Sequence, residues 1–181
     1  MTKKIDEPTL FSPEKEEYEK LVRKLHQTLE TKPNDLTGYK LLVRSNVKLA
    51  NFVAARKAQL HIITILGEDA TSSTYSYYAE LCVAAANGYV SKEAAIALKN
   101  ALNLNPHDPQ ALFYSGLLSL QSNEPKVATE TWVNLLKLPL TSNRFTYLVL
   151  AYLGELISIS SIGEKTYFRQ SNTELNLQTN A

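Results

Sequence analysis

The chain has 181 residues, 44% of them hydrophobic and 20% charged, the composition of a folded globular protein long enough to bury a real core. Its 19 Lys and Arg stand against 18 Asp and Glu, so the formal charge of +1 offers no global field to nucleic acid or to an anionic membrane, and any electrostatic function has to be local. A single cysteine, Cys82, excludes an internal disulfide framework, a Cys-rich zinc site and a dithiol redox pair; its place in "LCVAAA" suits a small core residue.

In chain order, residues 1–11 mix charge with Pro8 and show no periodicity, which predicts a mobile leader without the apolar stretch of a secretory signal. "SPEKEEYEKLVRKLHQTLETKPND" then predicts a helix. Ser12 can cap it, Pro13 fits its first position, and Glu14, Glu16 and Glu17 match the positive end of the helix dipole. Tyr18, Leu21, Val22, Leu25 and Leu29 share one face, and Pro33 lies past the stop.

That stop recurs. "LETKPND", "ILGEDA", "LNLNPHD" and "LLKLPLTS" place Pro33, Gly67, Pro106 and Pro139 at intervals of 34, 39 and 33 residues, which bracket the period of a helix-turn-helix repeat of about 34 residues. The units are similar to the tetratricopeptide pattern. The first carries Tyr39, Leu42 and Ala55 in its slots; the second carries Tyr75, Tyr78, Ala79 and Cys82, then Ala94, Leu98 and Ala101; the third carries Leu112, Ser115 and Gly116, then Ala128, Trp132 and Leu135. The extra residues of the second unit fall in "AANGYVSK", where Asn87 and Gly88 predict a turn. Ala55, Ala79, Ala94, Gly116 and Ala128 are expected where the two helices of a unit approach closely, and Tyr39, Leu42, Leu98 and Trp132 between units. The fold expected is an all-α tetratricopeptide solenoid of about three repeats. One unit cannot bury its own apolar face, so the stack needs caps at both ends. Residues 18–29 would close one end and 145–159 the other. "FTYLVLAYLGELISISSIG", residues 145–163, is apolar enough to raise a membrane anchor as the other reading, against which Gly154, Glu155 and several Ser residues weigh. The domain expected spans 12–160, with a polar tail, 161–181, left without structure.

Catalytic residues are not apparent. His26, His61 and His107 occur singly, no phosphate loop or nucleophile elbow is present, and neither a metal site nor a cofactor is expected. The feature that asks for a role is "YKLLVRSNVK", where Lys40, Arg44 and Lys48 lie four apart on one helix face despite their mutual repulsion. A solvated outer face would look the same. In a tetratricopeptide stack, however, the first helix of each unit lines a concave groove. The expected groove residues are Lys40, Arg44, Val47 and Lys48 at a cationic end, Tyr77 and Glu80 in the middle, and Phe113, Leu117 and Leu120 at an apolar end; the last three would equally serve as core. Such a surface suits an amphipathic helix or a carboxylate-ended tail.

The stretch from "LHQTLETKPNDLTGYKLLVRS" through "EAAIALKNALNLNPHDPQALFYSGLLSLQ" to "WVNLLKL", residues 25–138, resembles the tetratricopeptide part of the bacterial cytochrome c biogenesis factors. The resemblance implies a non-enzymatic chaperone that holds the C-terminal segment of apocytochrome c for the haem-ligation complex. Its partners would be that segment and other cytochrome maturation subunits, not nucleic acid. It implies the periplasmic face of the inner membrane, with membrane association through partners or an N-terminal anchor, whereas the leader read literally places the chain in the cytoplasm. A general tetratricopeptide scaffold for a different helical partner is the alternative.

Overall fold

The α-helices follow one another with short connections: α1 (Pro13–Thr31), α2 (Leu36–Lys48), α3 (Phe52–Leu66), α4 (Ser72–Ala85), α5 (Lys92–Leu104), α6 (Pro109–Gln121) and α7 (Pro125–Leu136). A 3-10 turn, Gly67–Asp69, precedes α4, and a further helical segment covers 145–156. The structure is a computed structural model that describes residues 13–139, 145–156 and 158. The leader with Ser12 and the tail lie outside them. Among the described residues there is no strand, and no helix is long and apolar enough to cross a membrane.

Helices pair within units as α2 with α3, α4 with α5, and α6 with α7, while α1 packs on α2 and α3 on α4. The core is correspondingly segmented. Leu25, Leu29, Leu42, Val43, Ala58 and Ile62 fill the space among α1, α2 and α3; Tyr78, Ala79, Cys82, Ala94, Leu98 and Ala111 fill that among α4, α5 and α6. Phe113, Trp132, Leu135, Phe145 and Val149 form the third layer. The segment 145–156 therefore covers the end of the stack, as a capping helix must.

Each unit makes its internal turn with the same backbone device. Ala50, Asn87 and Asn123 adopt left-handed φ values of 53°, 52° and 60°. The next residue's N–H then reaches back to the helix: Asn51 to the Asn46 carbonyl (2.8 Å), Gly88 to Val83 (2.9 Å), and Glu124 to Ser119 (2.8 Å). This is the Schellman closure, which satisfies carbonyls that a helix end leaves orphaned. In the second unit the inserted Gly88–Val90 stretch is held by the Gln121 side chain, which accepts from the Val90 N–H (2.9 Å) and donates to the Gly88 carbonyl (3.2 Å). Alanine is the least suited of the three turn residues, since its Cβ opposes a left-handed conformation. Ala50→Gly should therefore raise stability by about 0.5–1 kcal/mol, read as a higher urea midpoint; a lower midpoint would mean that the Ala50 methyl group makes contacts worth more than the strain.

Tyr39, Leu42, Ala55, Ala79, Ala94, Leu98, Gly116, Ala128 and Trp132 are all buried. Gly116 lies on the side of α6 that packs on α7, and it makes room there for the indole of Trp132, which lies within the same unit and donates from Nε1 to the Phe113 carbonyl at 3.0 Å. One expectation needs correcting. Phe113 is not a groove residue: it is 4% exposed and packs with Trp132, Phe145 (ring centroids 5.2 Å apart) and Tyr152 (6.2 Å). The segment 145–156 sits against the very side of α6 that would otherwise have faced the groove.

Candidate functional site

The first helices of the second and third units are tied together by polar side chains. Asp108, 5% exposed, caps α6 by accepting from the Ala111 N–H (2.9 Å) with Oδ1; its Oδ2 accepts from the hydroxyls of Ser72 (2.6 Å) and Ser76 (3.1 Å) on α4. Gln110 Nε2 donates to the Ser76 carbonyl (3.1 Å) and to Glu80 Oε2 (2.6 Å). With these donors and acceptors matched, α4 and α6 close on each other.

Between α2 and α4 the same seam stands open. Counting from the N-caps Asp35, Thr71 and Asp108, Lys40 occupies the position of Ser76, and Arg44 that of Glu80; across the seam Thr71 replaces Asp108, and Ser73 replaces Gln110. Two cations facing hydroxyls cannot make the tether that a carboxylate, two serines and an amide make. The result is a cleft of about 600 Å³. Lys40, Val43 and Arg44 form one wall, Gln59, Ile62 and Leu66 of α3 the floor, and Thr71, Ser73, Thr74 and Tyr77 the other wall. Asp69 at the rim offsets part of the charge. Val43, Gln59 and Ile62 are buried, whereas Lys40 and Arg44 are exposed. Gln59 Nε2 donates to the Thr74 carbonyl (3.1 Å), holding the start of α4 against the floor. The cleft thus offers one ammonium group, one guanidinium group, the N-terminal end of a helix and an apolar floor, a combination that accepts a carboxylate carried by an apolar segment.

The structure brings together only part of the expected site. Lys40, Arg44 and Tyr77 line the cleft. Lys48 is exposed in the last turn of α2, outside the cleft, where a cation complements the negative helix end. Val47 is half-buried against the first core layer. Glu80 is engaged by Gln110. Leu117 and Leu120 are half-buried and pack on the third core layer with Phe113. The apolar surface of the cleft comes instead from Val43, Ile62, Leu66 and Tyr77. Sequence reasoning missed the floor and the "TSST" wall. The run of hydroxyl residues at 71–74, opposite a carboxylate cap one unit later, was the signal available.

Cys82 is buried on the other side of α4, and burial first, then the Glu93 carboxylate, push its thiol up from the usual range, so it stays protonated. Among the described residues no group of His, Cys, Asp and Glu side chains is arranged to hold a metal ion.

Repeated two-helix units with a shared turn, segmented core layers and a terminal covering helix define a tetratricopeptide-type solenoid. A crystal structure of MamA, a tetratricopeptide-type protein, matches at a TM-score of 0.61 and 17% identity, covering 82% of this chain and 85% of that one; a MamA RS-1 ArsTM double mutant gives 0.55 at 15%, covering 67% and 65%. These likenesses bear on the fold alone. No protein-family model matches the chain. In sequence, it is 34% identical over 118 residues to cytochrome c-type biogenesis protein CycH of Bradyrhizobium diazoefficiens, covering 65% of this chain and 31% of that protein. With CycH of Rhizobium meliloti the identity is 36% over 97 residues, or 54% and 25% of the two chains. The resemblance to the cytochrome c biogenesis factors is thereby borne out, and the chain spans between a quarter and a third of the length of these relatives.

Proposed function

We propose that the chain is a non-enzymatic adaptor in cytochrome c maturation that works through protein–protein contact, its α2–α4 cleft holding the C-terminal segment of an apocytochrome c for delivery to the haem-ligation machinery. The observation that carries this reading is the open seam, where Lys40 and Arg44 stand over an apolar floor. The similarity to proteins named for cytochrome c biogenesis supports the choice of process. A terminal carboxylate would meet Lys40, Arg44 and the start of α4, while apolar side chains upstream of it cover Ile62, Leu66 and Tyr77. The chain's contribution is to bind and orient; the haem chemistry would lie with its partners.

Fluorescence anisotropy of labelled C-terminal peptides from c-type cytochromes, beside scrambled controls, tests this. Binding that needs the native peptide sequence supports the reading. Equal binding of scrambled peptides, or none, would leave a tetratricopeptide scaffold with a different helical partner. Lys40→Glu with Arg44→Glu should weaken binding by about tenfold or more. Both residues are exposed, so the thermal midpoint should shift little.

A further inference from the structure

The opposite side of the solenoid carries a second surface. The exposed large apolar residues include Val53 and Leu60 on α3, Ile96 and Leu104 on α5, and Val127 and Val133 on α7, all on the second helices of the units. Ile96 is 63% exposed and lines the same groove as the exposed Leu60, so the two form a patch and not scattered single residues. Leu60 and Ile63 of α3, Tyr75 and Tyr78 of α4, and Ile96 and Ala97 of α5 line a groove of about 280 Å³ between α3 and α5, with α4 as its floor. The acidic residue in its wall, Glu93, is neutralised by Arg56 and also accepts from the Tyr78 hydroxyl. Three cations share the helix faces that carry Leu60 and Ile96. Lys92 and Lys99 lie one helical turn on either side of Ile96, and Lys57 lies one turn before Leu60; all three are exposed.

We infer that this convex α3–α5 groove is a second docking site, taking an acidic amphipathic helix whose apolar ridge enters between Leu60 and Ile96 while its carboxylates meet Lys57, Lys92 and Lys99. Charge decides among the possible occupants. A second copy of this chain, docked about a two-fold axis, would gather the three lysines of both copies into one interface without supplying carboxylates for them. A lipid surface would gain from the lysines, but apolar residues that insert into a bilayer project from a surface, whereas Tyr75, Tyr78 and Ala97 line a recess that receives a ridge. The site is distinct from the cleft, which opens between α2 and α4 across the body of the solenoid. One chain could therefore hold a cargo on one side and a helix of a partner subunit on the other.

The test uses the full chain and two designed helical peptides of about five turns with amidated C-termini and the same i, i+4 Leu ridge, one flanked by Glu and one by Lys. The Glu-flanked peptide is expected to bind, more weakly as salt rises. Ile96→Glu, and separately Lys57→Glu with Lys92→Glu and Lys99→Glu, should each weaken it by about tenfold or more, while Lys40→Glu with Arg44→Glu leaves it unchanged. Circular dichroism confirms that the variants are folded. Equal binding of both peptides, no binding, or sensitivity only to the Lys40 and Arg44 changes would overturn the proposal. So would self-association abolished by Ile96→Glu, or flotation with anionic vesicles in place of peptide binding. Because the cleft variant serves as a control here, failure of this site leaves the proposed function standing, and the converse.

Discussion

Trp132→Ala should destabilise the protein by about 3–5 kcal/mol, the range for deleting a large aromatic side chain from a packed core. The indole is fully buried, its Nε1–H donates to the Phe113 carbonyl, and its ring lies among Phe113, Tyr152 and the third core layer. Removing it leaves a cavity and takes away the second hydrogen bond of the Phe113 carbonyl, which lies inside α6. The same geometry makes Gly116 a sensitive reporter. A Cβ at that position would stand 2.1 Å from Trp132 Nε1 and 2.4 Å from Cε2, inside any real contact distance, and neither helix can yield while the ring fills the layer. Gly116→Ala alone should cost about 3 kcal/mol or more, at the top of the overpacking range. In the Trp132→Ala background the obstacle is gone, and the same change should become neutral or stabilise by up to about 1 kcal/mol through helix propensity. Urea unfolding followed by far-UV circular dichroism reads all three variants. Additive costs would mean that Gly116 is needed for its backbone and not for the indole.

Asp108→Ala should cost about 2–4 kcal/mol, more than an exposed helix cap, because it removes an N-cap acceptor and leaves the hydroxyls of Ser72 and Ser76 buried without the carboxylate they donate to. Asp108→Asn keeps an oxygen for the Ala111 N–H and an amide that the serine hydroxyls can accept from, so it should recover part of the loss. If Asp108→Ala costs no more than the roughly 1 kcal/mol of an ordinary cap, the tether between α4 and α6 contributes nothing beyond local capping. The account of why the seam between α2 and α4 alone stands open would then fail, since that account rests on the carboxylate drawing α4 and α6 together.

What could be read from the residues, and what could not, follows from how local each signal is. Helix starts and the turn at Asn87–Gly88 are written in Pro, Asn, Gly and acidic residues, so α1, the repeat period and the lengthened second turn were legible. The identical left-handed closure at Ala50 was not, because alanine does not mark a turn. Phe113 was misplaced for a different reason: which side of α6 is groove and which is core depends on whether a further helix covers it, and the segment 145–156 does. The cleft was half visible. Lys40 and Arg44 declared themselves by spacing, but the opening depends on a tether present one unit later and missing here, a comparison between seams that no single stretch contains. Lys48 belongs to the same row and lies beyond the cleft, since a row of charges on a helix extends past any one contact.

The central claim, that Lys40 and Arg44 receive a terminal carboxylate, is tested most directly by crossing two changes. Affinity is measured for a cytochrome C-terminal peptide with a free or an amidated terminus, against the native chain and against Lys40→Glu with Arg44→Glu. The account predicts that amidation weakens binding to the native chain by about tenfold, and that amidation costs little further in the variant, because both changes remove the same interaction. Binding indifferent to amidation, or losses that simply add, would contradict it.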